Sequence, residues 1–417
     1  MVQATAIDAR GRLSAQVLAV TVLLLASLVV PSSVVAGSTS NRTSTYALYA
    51  GHGVGVIATE NPFTGCGNVY LTNNFRRWRK ITPAVKNPRE FAKGLCAYTW
   101  SDAYFVSPTD GWLEATDGAD VDTILRHTLN GGKTWIVEPG ESTGSAGGGD
   151  TVRFVNGSLG WRQQFGWGSN GNYAIQRTLN GGLTWSTRSP DPRGSCIFAN
   201  DVFSSSTTGF ASVPWASATN PTNLWRTING ALNWSVLKFS PPPGLSSTAL
   251  GLYGAPDFSG SYGVVPVDYS VAGHQDLFFY VSHDAGLVWQ LDVASHLPVV
   301  IPTGVRINRQ NAVGQSCSAT SPLVSGRVPV VVSASPTTWW LVVPGPQHAT
   351  ELFVITAGGR DVTSFTVRDL PKTTSRLELA ALNADDALLT LPIPSGYQTT
   401  YESLDGGIHW LRMSLSI

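Results

Sequence analysis

The chain has 417 residues, no net charge at neutral pH and only 13% charged residues. That balance excludes an electrostatic footprint for nucleic acid and a basic stripe for anionic lipid. The 43 glycines, 25 prolines and 14 tryptophans suit many short strands joined by turns, with aromatic side chains filling the space between sheets.

The first 36 residues stand apart. Arg10 and Arg12 precede an uncharged apolar run from Ala15 to Val30, and Val34 and Ala36 supply the small-residue pattern of a cleavage point. The segment reads as an export signal with a mature start near Gly37, or, if uncleaved, as a membrane anchor. Either way the folded part, residues 45–417, is expected outside the cytoplasm, secreted or anchored. Residues 37–44 read as a short polar lead-in.

From there one pattern recurs: Ser or Thr, then Asn or Asp two positions on, Gly four on and Trp seven on. A decayed first copy, Leu71-Thr-Asn73-Asn-Phe75-Arg-Arg-Trp78, keeps the amide and the indole. Thr128-Leu-Asn130-Gly-Gly132-Lys-Thr-Trp135 follows, then Thr178 with Asn180 and Trp185, and Thr227 with Asn229 and Trp234, where Ala231 takes the Gly slot. The last copies are Ser282 with Asp284 and Trp289, and Ser403 with Asp405 and Trp410. The spacing is roughly 50 residues up to Trp289 and about twice that to Trp410. A hidden copy is therefore expected near Thr356-Ala-Gly-Gly359, which lacks both the carboxylate and the tryptophan. A second motif keeps the same phase: an apolar strand, a polar turn, then Gly and an aromatic, as in Tyr104 to Trp112, Phe154 to Trp161 and Phe203 to Phe210. Together they predict seven units.

The physics of the first motif is that of a turn. Asn or Asp accepts hydrogen bonds from the backbone of its own hairpin, and the following Gly tolerates positive φ. The Trp is expected to pack against that hairpin, so Trp185→Ala should cost about 3–5 kcal/mol if the ring is fully buried. Three clean copies carry Asn, which cannot act as an acid or a base, so the motif reads as structural.

These turns resemble the Asp-box, or BNR, repeats of sialidase-like propellers, sortilin-type receptor domains and photosystem II assembly-factor propellers. The resemblance spans roughly residues 45 to 413. It implies an all-β fold: a single seven-bladed β-propeller of four-stranded antiparallel blades, with the repeated turn between strands three and four. The catalytic arginines of sialidases have no counterpart near the mature N-terminus; Val305-Arg306-Ile307-Asn308 is the nearest string, and Arg126, Arg177 and Arg226 repeat with the turns. The resemblance therefore implies a non-enzymatic binding or assembly scaffold. The alternative is a sialidase-like glycoside hydrolase.

In such a blade the connection between strands two and three, and the link to the next blade, lie on the face opposite the repeated turns. Cys66, Cys96, Cys196 and Cys317 all map there. Four cysteines in an exported chain permit two disulfides in three connectivities; Cys66–Cys96 is expected to bridge neighbouring units, leaving Cys196–Cys317. The same face collects Phe165, Trp167, Trp215, Asp268, Tyr269, Arg306 and Arg309, the candidate binding residues for a protein or glycan ligand. Asp117, Asp120 and Asp122 read as solvated loop residues and not as a cation site, no cysteine pair has zinc spacing, and no cofactor is expected. A monomer is expected.

Overall fold

The structure is a computed structural model. It describes residues 44–60, 67–83, 98–117, 123–138, 152–165, 173–190, 201–212, 224–246, 251–271, 274–292, 330–344, 350–356, 361–366, 378–392 and 398–413. Seven antiparallel sheets follow one another in sequence and form a seven-bladed β-propeller. Each has four strands paired in chain order; in blade five the first strand is split into Gly251–Tyr253 and Asp257–Ser259. Pro256 sits at that break, where a residue lacking an N–H cannot continue the ladder. First strands touch one another at six of the seven blade junctions and surround the axis. Fourth strands, such as Arg79–Lys80 and Ile136–Val137, are two-residue exposed edges in five of the blades, too short to recruit another strand. The first strand begins at Ser44, one residue inside the expected lead-in.

The repeated turns fold as their residue types require. In blade two the Thr128 hydroxyl donates to Asn130 Oδ1 (3.1 Å) and accepts the Gly132 N–H (2.7 Å), while Asn130 Oδ1 accepts the Thr134 N–H (2.9 Å). Blades three, four, five and seven repeat this set with Thr178/Asn180, Thr227/Asn229, Ser282/Asp284 and Ser403/Asp405. The residue after the Asn or Asp then donates its N–H to the turn between strands one and two of the same blade, as Gly131 does to Thr109 O (2.8 Å). The two turns of a blade are thereby locked at one end. In the first unit the bonding carboxamide belongs to Asn74, not the expected Asn73: it accepts from Thr72 Oγ1 and from the Arg76 and Arg77 N–H groups. The register explains the shift, because Thr72 pairs with Gly55 as Thr128 pairs with Gly111. The hidden seventh copy falls between the paired strands Thr350–Thr356 and Asp361–Thr366; residues 357–360 themselves lie outside the described residues.

The tryptophans of these turns are half-buried, and two of them reach past their own hairpin. Trp135 donates to Ile81 O (2.8 Å) and Trp234 to Ser189 Oγ (3.1 Å), both in the preceding blade; Trp289 and Trp410 cap their own turns. The fully buried indoles come from the second motif. Trp112 stacks on Phe154 of the next blade (3.5 Å, 3°) and donates to Gly181 O (2.8 Å); Trp161 repeats this with Phe203 and Gly230 O. Glycine precedes both indoles because a Cβ at Gly111 or Gly160 would meet the strand-one phenylalanine at 2.3–2.4 Å.

A cation often completes the blade junction. Arg79 donates to Gly131 O and Arg226 to Leu287 O, each on the turn of the next blade. Arg177 and Arg226 directly precede their turn threonines, whereas Arg126 lies one residue earlier, buried over the Trp100 ring, so it does not repeat with them. His127 takes the Arg177 position in blade two. It stacks on Trp112 and sits between Asp110 (2.7 Å) and Glu138 (3.4 Å). Burial opposes its charge, but the hydrogen bonds to Glu138 and Asp110 outweigh burial and raise its pKa above 6.5. Its contribution to stability is therefore full below the unfolded pKa and is lost as pH rises through the higher folded value. Wild-type melting should fall between pH 6 and 8, and His127→Gln should flatten that slope; an unchanged slope would overturn this reading.

Blades one and seven close the ring without exchanging a strand. Thr390 Oγ1 accepts the Ala47 N–H (3.0 Å) and contacts Thr400 Oγ1 (2.9 Å), which in turn donates to Thr45 O (2.9 Å). Around them pack Ile57, Tyr70, Phe75, Leu388 and Met413. Thr400→Val keeps the shape but orphans a buried carbonyl, and should cost about 1–3 kcal/mol in chemical denaturation.

Candidate functional site

Register places one residue per blade at the same level of the axis. In each sheet one residue of strand one stands opposite an equivalent strand-two position: Ala50↔Gly55, Phe105↔Gly111, Phe154↔Gly160, Phe203↔Gly209, Phe258↔Gly263, Ser333↔Trp339 and Ala381↔Ala387. The residue just before it is Tyr49, Tyr104, Arg153, Val202, Asp257, Val332 and Ala380 in blades one to seven. All but Ala380 are half-buried, with part of each exposed although the strand lies innermost. They form a ring near the end of the channel that carries the repeated turns.

One arc of the ring is polar and aromatic. The Tyr49 and Tyr104 rings lie 5.0 Å apart, and the Arg153 guanidinium sits 5.7 Å from the Tyr104 ring. Tyr49 donates its hydroxyl to Phe105 O (2.8 Å) and meets His52 Nδ1 at 2.6 Å. Behind them a bulge between Trp100 and Asp102 turns Asp102 toward blade three. Its carboxylate accepts from Arg153 Nη1 (2.8 Å) and from the Val152 N–H (3.3 Å). Burial raises the Asp102 pKa, and Arg153 opposes that.

Asp257 faces this arc from blade five, next to the strand break at Pro256. Its carboxylate accepts the Ser333 and Phe258 N–H groups. Burial outweighs those bonds and lifts its pKa from 3.8 to about 6. Tyr104 is pushed up to about 12, first by burial and then by the charges of Asp257 and Asp102, with Arg153 opposing. Tyr49 is raised for the same reasons. The Asp257 field therefore reaches both phenols across the channel.

None of these residues was singled out as a site by the sequence reading. Their signal is variation at a repeat position: the residue before the strand-one aromatic is Tyr104, Arg153, Val202 and Asp257 in four successive blades. The expected binding residues fare differently. Tyr269 is fully buried in the core of blade five, with its hydroxyl 3.3 Å from that of Tyr280, so it packs the blade and is not a ligand contact. Phe165 ends the second strand of blade three and Asp268 lies within that of blade five. Trp167, Trp215, Arg306 and Arg309 lie outside the described residues, as do the four cysteines, Asp120, Asp122 and the N-terminal segment.

The end bearing the turns has a second regular feature. Leu129, Leu179 and Ile228 follow the turn Thr, and Leu183, Leu232, Leu287 and Ile408 occupy the fifth position after the Ser or Thr; their exposures run from 46% to 68%. The turn bonds do not need these side chains, since Lys133 and His283 occupy the same two positions elsewhere. A separate open hollow of about 520 Å³ is lined by the single segment Lys238–Leu245 and gathers no convergent polar groups.

No protein-family model matches the chain, nor does any curated protein. Solved structures do resemble it. YCF48 bound to D1 peptide is 15% identical over 76% of this chain and 82% of that one, with a TM-score of 0.39. A prolyl endopeptidase is 12% identical over 89% of this chain, with a TM-score of 0.54; the chain spans only 50% of that protein. The GH74 enzyme of Niastella koreensis is 14% identical over 86% of this chain and 63% of that one, with a TM-score of 0.34. At these identities the likeness is one of fold.

Proposed function

We propose that this protein is an extracytoplasmic, non-enzymatic binding or assembly scaffold whose Asp-box turns present a contact surface to a protein partner. The observation that carries this reading is the recurrence of exposed aliphatic side chains at the same two turn positions. A monomer does not need them there, and burying one such side chain gains about 1.5–3 kcal/mol. The apolar run from Ala15 to Val30 supports an address outside the cytoplasm. The quadruple variant Leu129→Ser, Leu179→Ser, Leu183→Ser, Ile228→Ser should melt as wild type does. It should recover at least tenfold less of the envelope protein that the wild-type chain retains after crosslinking. Equal recovery would overturn the proposal.

A second reading is favoured by Asp257, a channel carboxyl held near 6 and so able to hand over a proton at neutral pH. On that reading the protein is a glycoside hydrolase. Turnover of a fluorogenic glycoside, abolished by Asp257→Asn in a folded chain, would establish it and displace the scaffold.

A further inference from the structure

We propose that the turn-side mouth of the channel binds one organic cation, an alkylammonium or guanidinium group, held by Asp257 against the rings of Tyr49 and Tyr104. The charges at this level do not balance among the described residues. Arg153 is committed to Asp102 at 2.8 Å. Asp257 has only backbone N–H partners, from Ser333 and Phe258, and among the described residues no cationic side chain pairs with it. Among the described residues the mouth therefore keeps one uncompensated negative charge. Two tyrosine rings 5.0 Å apart stand near it, and aromatic faces attract cations. The Tyr104 hydroxyl makes no hydrogen bond among the described residues, so it is free to contact a ligand. Val202 and Val332, each partly exposed, add apolar surface suited to an alkyl stem. An anion would meet the same field that pushes both phenols up. The aliphatic turn residues take no part, so this site stands or falls separately from the contact surface proposed above.

The test is calorimetric titration of the full chain with butylammonium and butylguanidinium, using butanol and butyrate as neutral and anionic controls. Binding at about 1 mM or tighter is expected for the cations, with the controls at least tenfold weaker. Asp257→Asn should weaken cation binding at least tenfold, and Tyr104→Leu severalfold. Lys238→Ala, on the outer Pro-rich crossing, should change nothing. Affinity should fall as pH drops through about 6, where Asp257 takes up a proton; Asp102, Arg153, Tyr49, Tyr104 and His52 are the other titratable groups named at this end of the channel. Asp257→Asn should abolish that dependence, which a merely structural carboxylate would not produce. A lysine-containing tetrapeptide amide separates the sources: tighter binding than butylammonium identifies a partner's side chain, weaker binding a free amine. Equal affinity for butanol and butylammonium, or an Asp257→Asn chain that binds as wild type does, would overturn the proposal.

Discussion

Trp112→Ala should lower the stability of the propeller by about 3–5 kcal/mol, more than any turn tryptophan. Its indole is fully buried, lies flat on Phe154 of the next blade and satisfies Gly181 O on that blade's turn. The substitution leaves a cavity at a blade junction and an unbonded carbonyl beside it. Trp185, by contrast, is half-buried, and its indole N–H has no hydrogen-bond partner among the described residues. It packs edge-on to Phe154 and under the Arg162 guanidinium at 4.5 Å. Its removal should cost about 1–3 kcal/mol, below the value expected for a fully buried ring. Urea denaturation followed by circular dichroism gives both numbers. If Trp185→Ala costs as much as Trp112→Ala, the assignment of the junction to the second motif is wrong.

Asp257→Asn should make the protein more stable at neutral pH. The folded carboxyl, at about 6, holds its proton more tightly than an unfolded aspartate at 3.8. Its contribution to stability is therefore full below pH 3.8 and is lost as pH rises through about 6. Above that the ionised group costs roughly 3 kcal/mol at most, from about 2 pH units at 1.36 kcal/mol each. Asparagine stays neutral and still offers a carbonyl to the Ser333 N–H. Melting of variant and wild type should coincide near pH 4 and diverge up to pH 8. A difference that stays flat with pH would refute the argument. A variant that gains stability while losing its cation marks a residue kept for binding and not for folding.

The fold was legible because its signal is repeated. Five turns share one hydrogen-bond set, and each bond traces to a residue type visible in the sequence: a hydroxyl, a short amide or carboxylate, and a residue able to take positive φ. Even the departures are readable once register is known. Ala231 and Ala285 hold φ of 69° and 59°, conformations the sequence pattern reserves for glycine. The shift from Asn73 to Asn74 was masked because counting back from Trp78 selects Asn73 while counting on from Thr72 selects Asn74, and strand pairing decides for Thr72. The channel ring was illegible for the opposite reason. Its members occupy a repeat position but range from tyrosine and arginine to valine and aspartate, so they share no motif, and their meaning lies in facing one another across the axis. Tyr269 misled because an aromatic beside an acid in a strand looks the same whether it points into a blade or toward a ligand.

The threonine-stapled seam between blades one and seven has a consequence for how the chain can be rearranged. Every sheet is made from consecutive strands, so no blade borrows a segment from the far end of the chain. The order of the blades around the axis is thus written in side-chain contacts at each junction, and the peptide links between blades add only proximity. Joining Met413 to Ser44 through a short linker and opening the chain between blades three and four, within residues 191–200, should give a circular permutant with the same circular dichroism spectrum. The junction without a peptide link would move from the seam between blades one and seven to the site of the new ends.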